Sequence, residues 1–364
     1  MAKPVLINQT AFIGDGLLGI PLYRGVHRYF PSAPVILLVR KGLKGFFEKL
    51  TFVDRVFEID KSQPEERAKV FRQLKDIEYQ AVFSPHESTR SQLLVWGLKA
   101  NQKIGFDTAW WSRLVYSKTV RRDQSLPDSL RQFSLLRAID PQLNTAYQNL
   151  DTGLTNPSTQ NTYDFFDVGI PDWASLDVTS ETRVQTTEGF DHLLSKYPSL
   201  NQGPVLMAPG SVWETKKWTE EGFVAVAKAV SKDRPVAFIG SPAESELCQR
   251  LANSVPNAMS IAGETSLFET HLLMRQSSAL VANDSGSMHL AASAGLPIVS
   301  VFGPTVLPFG YRPWVKNSIV VQQPLECRPC GLHGQKVCPI GTHECMKALS
   351  AQPVIQALGT VLSR

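Results

Sequence analysis

Ala279-Leu-Val-Ala-Asn-Asp-Ser-Gly-Ser-Met-His-Leu-Ala-Ala-Ser-Ala-Gly-Leu-Pro-Ile-Val-Ser-Val-Phe-Gly-Pro-Thr305 is the stretch that decides the fold of this chain. Leu280 to Ala282 is a short apolar run, and Asn283-Asp284-Ser285-Gly286 is a turn of cap residues. Met288 to Ala294 is small and apolar, a good helix. Gly295 and Pro297 stop it, and Ile298 to Phe302 is the next buried strand. Such a unit leaves a helix N-terminus open at the carboxyl end of a parallel strand. Unpaired N–H groups and the positive end of the helix dipole suit that place to a phosphate.

The same alternation extends outward in both directions. In the first half, Val5–Asn8, Val35–Val39, part of Val53–Ile59, Ala81–Phe83 and Lys103–Phe106 read as strands, with a helix over Leu17–Phe30. The second half restarts the pattern. Pro204–Ala208 and Pro235–Gly240 are strands; Thr219–Val230 and Ala243–Ser254 are helices, the former opened by a Thr cap with Glu220 and Glu221 in its first turn. The expectation is an α/β protein with two parallel sheets covered by helices. The domains are set at residues 1–175 and 176–364. A polar stretch at about 149–187 forms a linker or insertion, and 327–345 is a cysteine-rich segment of the second domain.

Composition bounds the function. At 364 residues, 43% hydrophobic and 19% charged, the chain is an ordinary globular protein of two domains. No apolar run has the length of a membrane span. The run after Lys3-Pro4 is too short for a signal-peptide core, and five cysteines, an odd number, suit a reducing compartment. A cytoplasmic protein is expected. Residues 1–140 carry 22 Lys+Arg against 14 Asp+Glu, whereas the remainder is mildly acidic. The basic half is either ordinary solvated surface or a face toward an anionic partner or membrane. Nucleic acid is not expected, since no basic run is interleaved with aromatics and no zinc-finger spacing appears.

Ligands of open parallel sheets bind beyond the carboxyl ends of the strands. Three turns therefore matter most: Gln9-Thr-Ala-Phe-Ile-Gly14-Asp15-Gly16, Pro209-Gly-Ser-Val-Trp-Glu-Thr-Lys-Lys-Trp218, and the opening turn with Gly303-Pro-Thr305 beside it. Asp15 can accept a proton from a hydroxyl, or it simply caps the following helix. Lys216, Ser211, Thr305 and the backbone of Ser285, Gly286, Ser287 and Met288 can meet a departing phosphate. Asp284 is a ligand or an N-cap, and His289 a ligand or a packed core residue.

These motifs resemble the lipopolysaccharide heptosyltransferase family, glycosyltransferase family nine. The resemblance covers nearly the whole chain. Gly14-Asp15 with Leu17-Leu18, Pro21-Leu22 and Phe30-Pro31 resembles its N-terminal signature, and Lys216-Lys-Trp218 its Lys-basic-Trp motif. Asn283-Asp-Ser-Gly-Ser-Met-His289 with Phe302-Gly-Pro-Thr305 resembles its donor-binding signature. Cys327-Arg-Pro-Cys330 with Cys345-Met346 resembles the tail of the heptosyltransferase II subgroup. The resemblance implies the GT-B fold, two Rossmann-like domains facing a central cleft. It implies inverting transfer of heptose from ADP-L-glycero-D-manno-heptose to the inner core of lipopolysaccharide at the cytoplasmic face of the inner membrane. Asp15 would be the base, Lys216 a donor-phosphate contact and Asp284 a contact to the donor sugar, with Gly303 and His289 in the donor-binding set. The alternatives are another nucleotide sugar or glycan acceptor, or a GT-B-shaped binding protein without turnover.

No Asp-x-Asp metal motif is present, so no catalytic cofactor is expected. Arg90, Arg113, Arg121 and Arg122, all in the basic half, are candidates for acceptor phosphates, each also readable as a surface residue. Related sequences usually carry a histidine near the helix corresponding to Leu130–Ile139. Gln124-Ser-Leu-Pro-Asp-Ser129 has none, so acceptor contacts there differ. Cys327, Cys330, Cys338 and Cys345 are spaced C-x2-C-x7-C-x6-C, a set that holds either a structural zinc or reduced, unligated thiols.

Overall fold

The computed structural model describes residues 2–144 and 174–364 of the chain. They fall into two compact units. The first holds 2–144, 174–176 and 180–183, and the second 177–179 and 184–364. Of the polar stretch at 149–187, residues 149–173 lie outside the described residues. The segment 180–183 stays with the first unit because it pairs there. Leu50 and Thr182 form an antiparallel bridge, Arg183 N donates to Lys49 O (2.7 Å), and the Arg24 guanidinium grips Glu181.

The first unit is built on a parallel sheet of β1 (Val5–Gln9), β2 (Val35–Arg40), β3 (Arg55–Ile59), β4 (Glu78–Ser84), β5 (Lys99–Phe106) and β6 (Lys118–Val120), in the order β3-β2-β1-β4-β5-β6. Its central strands read as unbroken apolar runs because helices cover both faces; Leu6, Leu38, Val82 and Tyr79 are core residues. The strand order reverses between β1 and β4, which pair in parallel from Val5↔Ala81.

The helix predicted over Leu17–Phe30 starts earlier and is broken. It forms as Ile13–Leu18 and Ile20–Tyr29, with Gly19 between. Pro21 has no N–H to donate back to Leu17, which interrupts the ladder. A side chain at Gly19 would strike the Tyr23 hydroxyl 2.3 Å away, and that hydroxyl donates to Gly16 O (2.9 Å). The helix predicted over Leu130–Ile139 also differs: it is α-helical only at Asp128–Phe133, followed by a 3-10 turn over Ser134–Ala138.

The second unit repeats the plan. Its strands are β7 (Val205–Ala208), β8 (Val236–Phe238), β9 (Ala258–Ser260), β10 (Ala279–Asn283), β11 (Ile298–Phe302) and β12 (Ser318–Gln322), ordered β12-β11-β10-β7-β8-β9 and all parallel. The reversal here falls between β7 and β10. The helix Glu220–Val230 opens as expected, with the Thr219 hydroxyl accepting from Gly222 N (3.1 Å). The segment Ala279–Thr305 forms β10, the helix Gly286–Ser293 and β11.

Candidate active site

In the second unit the chemistry gathers at the strand-order reversal, where an open sheet leaves its crevice. Asp284 follows β10 and is buried. Its Oδ2 accepts from Lys216 Nζ at 2.6 Å and from the Thr305 hydroxyl at 2.6 Å. Three turns far apart in sequence thus converge on one carboxylate oxygen. Asn283, fully buried, holds both ends of the Pro209–Trp218 turn against its own: its Nδ2 donates to Pro209 O (2.8 Å), and its Oδ1 accepts from Trp218 N (3.0 Å). Asn283→Ala would strand a buried carbonyl and a buried N–H. It is expected to destabilise the fold by about 2–4 kcal/mol, read by urea unfolding; a change near zero would mean that the Lys216 turn holds itself.

The N-cap of the helix Gly286–Ser293 is Ser285, not Asp284. The buried Ser285 Oγ has no hydrogen-bond partner among the described residues. Gly286 and Ser287 open the first turn, whereas the Met288 and His289 side chains are packed in the core. Ser211 shapes its own turn by accepting from Trp213 N (3.3 Å). Gly303 is closely covered: a side chain there would meet Met346 Sδ at 2.5 Å.

Of the two readings of the cysteine-rich segment, the zinc site finds no support. Among the described residues no three His, Cys, Asp or Glu side chains are grouped to hold a metal. The thiols of Cys327, Cys330, Cys338 and Cys345 are spent differently. Cys330 Sγ donates to Cys327 O (3.2 Å), His343 N donates to Cys338 Sγ (3.3 Å), and Cys345 is buried in the core of the second unit. What the segment does is brace the Lys216 turn. The Thr215 hydroxyl donates to Gln335 O (2.9 Å) and accepts from Gln335 N (2.7 Å). His343 Nε2 donates to Thr215 O (2.8 Å), and Arg328 donates to Thr305 O (2.6 Å). His333 lies within the field of the pair: burial lowers its pKa, nearby Lys216 lowers it further, and Asp284 opposes.

In the first unit Asp15 sits in the first turn of Ile13–Leu18, whose N-cap is Phe12, so it does not cap that helix. Burial, and after it the Asp128 carboxylate, push its carboxyl up to about 7, with Arg122 opposing. Gln132 spans this group, donating to Asp15 O (3.0 Å) and to Asp128 Oδ2 (2.8 Å), and Gln9 donates to Gln132 Oε1 (2.8 Å). Arg122 is ion-paired with both Glu87 and Asp128.

Asp15 acts electrostatically on Lys61, and Lys61 lines a neighbouring cavity of about 360 Å³ with Thr10, Arg67, Arg90 and Leu93 among others; Asp15 itself is not in that lining. Burial, Arg40 and Arg90 hold the Lys61 ammonium down to about 8, while Asp15 opposes. Burial, and after it Lys61 and Arg122, lower His86 to about 4. The ring is therefore neutral at neutral pH, and its Nδ1 accepts from Lys61 Nζ (3.3 Å). Of the four arginines singled out, Arg90 lines this cavity. Arg122 is committed to its two carboxylates. Arg113 is exposed and paired with Asp107 (2.7 Å), and Arg121 is exposed; neither lines the cavity. Sequence reading missed Lys61, His86, Asp128 and Gln132.

Comparison with known proteins agrees with this geometry. The model of Glycosyltransferase family 9 (heptosyltransferase) matches residues 67–339, about three quarters of the chain. Lipooligosaccharide heptosyltransferase 2 of Campylobacter jejuni serotype O:2 is 32% identical over 161 residues, 42% of this chain and 49% of that protein. The match thus spans about half the length of that relative. Among solved structures, the glycosyl transferase family 9 protein of Veillonella parvula superposes with a TM-score of 0.76 at 20% identity, covering 99% of this chain and 97% of that one. The ADP-heptose lps heptosyltransferase II of E. coli gives 0.72 at 18% identity, covering 99% of each. The architecture is α/β of the GT-B type, and the chain belongs to glycosyltransferase family 9, the heptosyltransferases.

Proposed function

We propose that the chain is an inverting glycosyltransferase that moves heptose from ADP-L-glycero-D-manno-heptose onto the phosphorylated inner core of lipopolysaccharide, at the cytoplasmic face of the inner membrane. The observation that carries this reading is Asp15, a partly buried carboxylate whose pKa is raised to about 7 and which acts on Lys61 in the lining of a cationic cavity. A base tuned to the working pH can take the acceptor hydroxyl proton as that oxygen attacks the anomeric carbon. The bond to the donor phosphate breaks on the opposite face, and the electron pair leaves with ADP. Lys216, the Ser285 hydroxyl and the amides of Gly286 and Ser287 meet the developing charge. Asp284 orients Lys216 and takes a sugar hydroxyl, while Lys61, Arg67 and Arg90 hold an acceptor phosphate. The second unit then serves the donor and the first the acceptor.

The test is ADP release from ADP-heptose in the presence of a heptose-deficient core acceptor, with UDP- and GDP-sugars in parallel. Release only from ADP-heptose is expected. Binding of a nucleotide sugar without release from any would overturn the enzyme reading, and release from a different donor would overturn the heptose assignment. The pH profile tests the base. Since Asp15 must be ionised to act, kcat/KM should fall about tenfold per pH unit below about 7. Asp128→Asn removes the negative charge that raises Asp15 and leaves Arg122 less opposed. Its acid limb should move to lower pH; a limb that stays in place means that another group sets it.

A further inference from the structure

We propose that the face of the first unit formed by the helix Thr89–Trp96 and the Trp110–Leu114 segment docks on an anionic lipid bilayer. Five of the ten large apolar side chains exposed among the described residues belong to these two segments, three of them tryptophans: Leu93 is 57% exposed, Trp96 64%, Trp110 77%, Trp111 38% and Leu114 69%. Leu93 and Trp96 lie three residues apart on one helix and so share a face. The second segment is fastened to that helix, not loose beside it. Trp111 Nε1 donates to Gln92 Oε1 (2.6 Å), and the Trp110 ring meets the Trp111 ring edge-on at 5.7 Å. The indoles are therefore presented on a braced support, which keeps the entropy cost of ordering them low.

Charge selects the occupant. Residues 88–121 contain six Lys+Arg and one acidic residue, Asp107. Arg90, Lys99, Arg113, Lys118 and Arg121 of this stretch are exposed. A second copy of the chain would bring two such basic stretches together, which like-charge repulsion disfavours. An anionic membrane surface complements that charge, and Trp is the side chain suited to the boundary between headgroups and acyl chains. Leu93 and Arg90 also line the cavity that holds Lys61. The face thus runs into the place assigned above to an acceptor phosphate, a continuity that rests on the transfer reading; lipid binding itself does not.

The full chain is sedimented with phosphatidylcholine vesicles, with and without phosphatidylglycerol. Binding at least about tenfold tighter to the anionic vesicles is expected, weakened by salt, with tryptophan fluorescence quenched by brominated lipid. The variants Trp96→Ser and Trp110→Ser/Leu114→Ser, none of them at a residue lining that cavity, should each lower vesicle binding by about tenfold or more while keeping the wild-type melting temperature. ADP release with a delipidated, water-soluble core acceptor should be unchanged in both, which separates failure of the docking face from failure of the transfer reading. The proposal is overturned by wild type that ignores anionic vesicles or by variants that bind like wild type. It is equally overturned by a dimer in sedimentation velocity that these substitutions dissolve.

Discussion

Asp15→Asn lowers kcat by about a thousandfold while donor affinity stays within about twofold, because a positioned base contributes on the order of 10²–10⁴ to the rate and the residues proposed to hold the donor lie in the other unit. Asparagine keeps the shape of the side chain and mimics the protonated acid, so lost activity cannot be ascribed to lost packing. Stability sharpens the test. The folded carboxyl titrates at about 7 against an ordinary value of 3.8, chiefly because burial disfavours its charge. The folded state therefore binds the proton more tightly than the unfolded state. Stability contributed by that proton is complete below pH 3.8 and is lost as pH rises to about 7. At pH 8 the Asn variant should melt above wild type, and near pH 4 the gap should close. A variant both more stable and inactive is the signature of strain kept for function. An Asn variant with more than a tenth of wild-type turnover would remove Asp15 as the base; one that loses donor binding would show that the substitution reaches the second unit.

Much of this architecture was legible because the strands buried on both faces leave apolar runs and the helix ends leave cap residues. Ala279–Thr305 shows both, and β10, its helix and β11 form there. What spacing does not carry is which turns become neighbours. The reversal of strand order sets the end of β1 beside the end of β4, so His86 reaches Thr10 from 76 residues away (3.2 Å). Gln132 reaches Gln9 from 123 residues away. No local pattern marks Lys61, His86 or Asp128 as companions of Asp15. The cysteine segment stayed ambiguous for the converse reason. Its spacing fits metal ligands, but hydrogen bonds from Gln335, His343 and Arg328 make it a brace for Thr215 and Thr305. The break at Gly19 was readable from Pro21, and the start at Ile13 was hidden because Phe12 supplies no side-chain cap.

Lys216→Met carries the second large effect. A fixed cation aimed at a departing diphosphate acts where charge develops, and removing one such donor typically costs about 10²–10³ in kcat. Here the same ammonium also neutralises Asp284, which is 5% exposed and otherwise accepts from Thr305. Breaking a buried pair from one side leaves an uncompensated charge, worth about 3–5 kcal/mol of stability. Single substitution therefore confounds a catalytic loss with a folding loss, and the cycle with Asp284→Asn separates them. The double variant Lys216→Met/Asp284→Asn removes both charges and should regain most of the lost stability. It should not regain turnover, because the phosphate still lacks its cation. Lys216→Arg keeps the charge but replaces a compact ammonium with a planar fork, so it should retain the fold and an intermediate rate. Were the double variant to recover wild-type kcat, Lys216 would be no more than the partner of Asp284. The leaving-group charge would then fall to the Ser285 hydroxyl and the first-turn amides of the helix Gly286–Ser293.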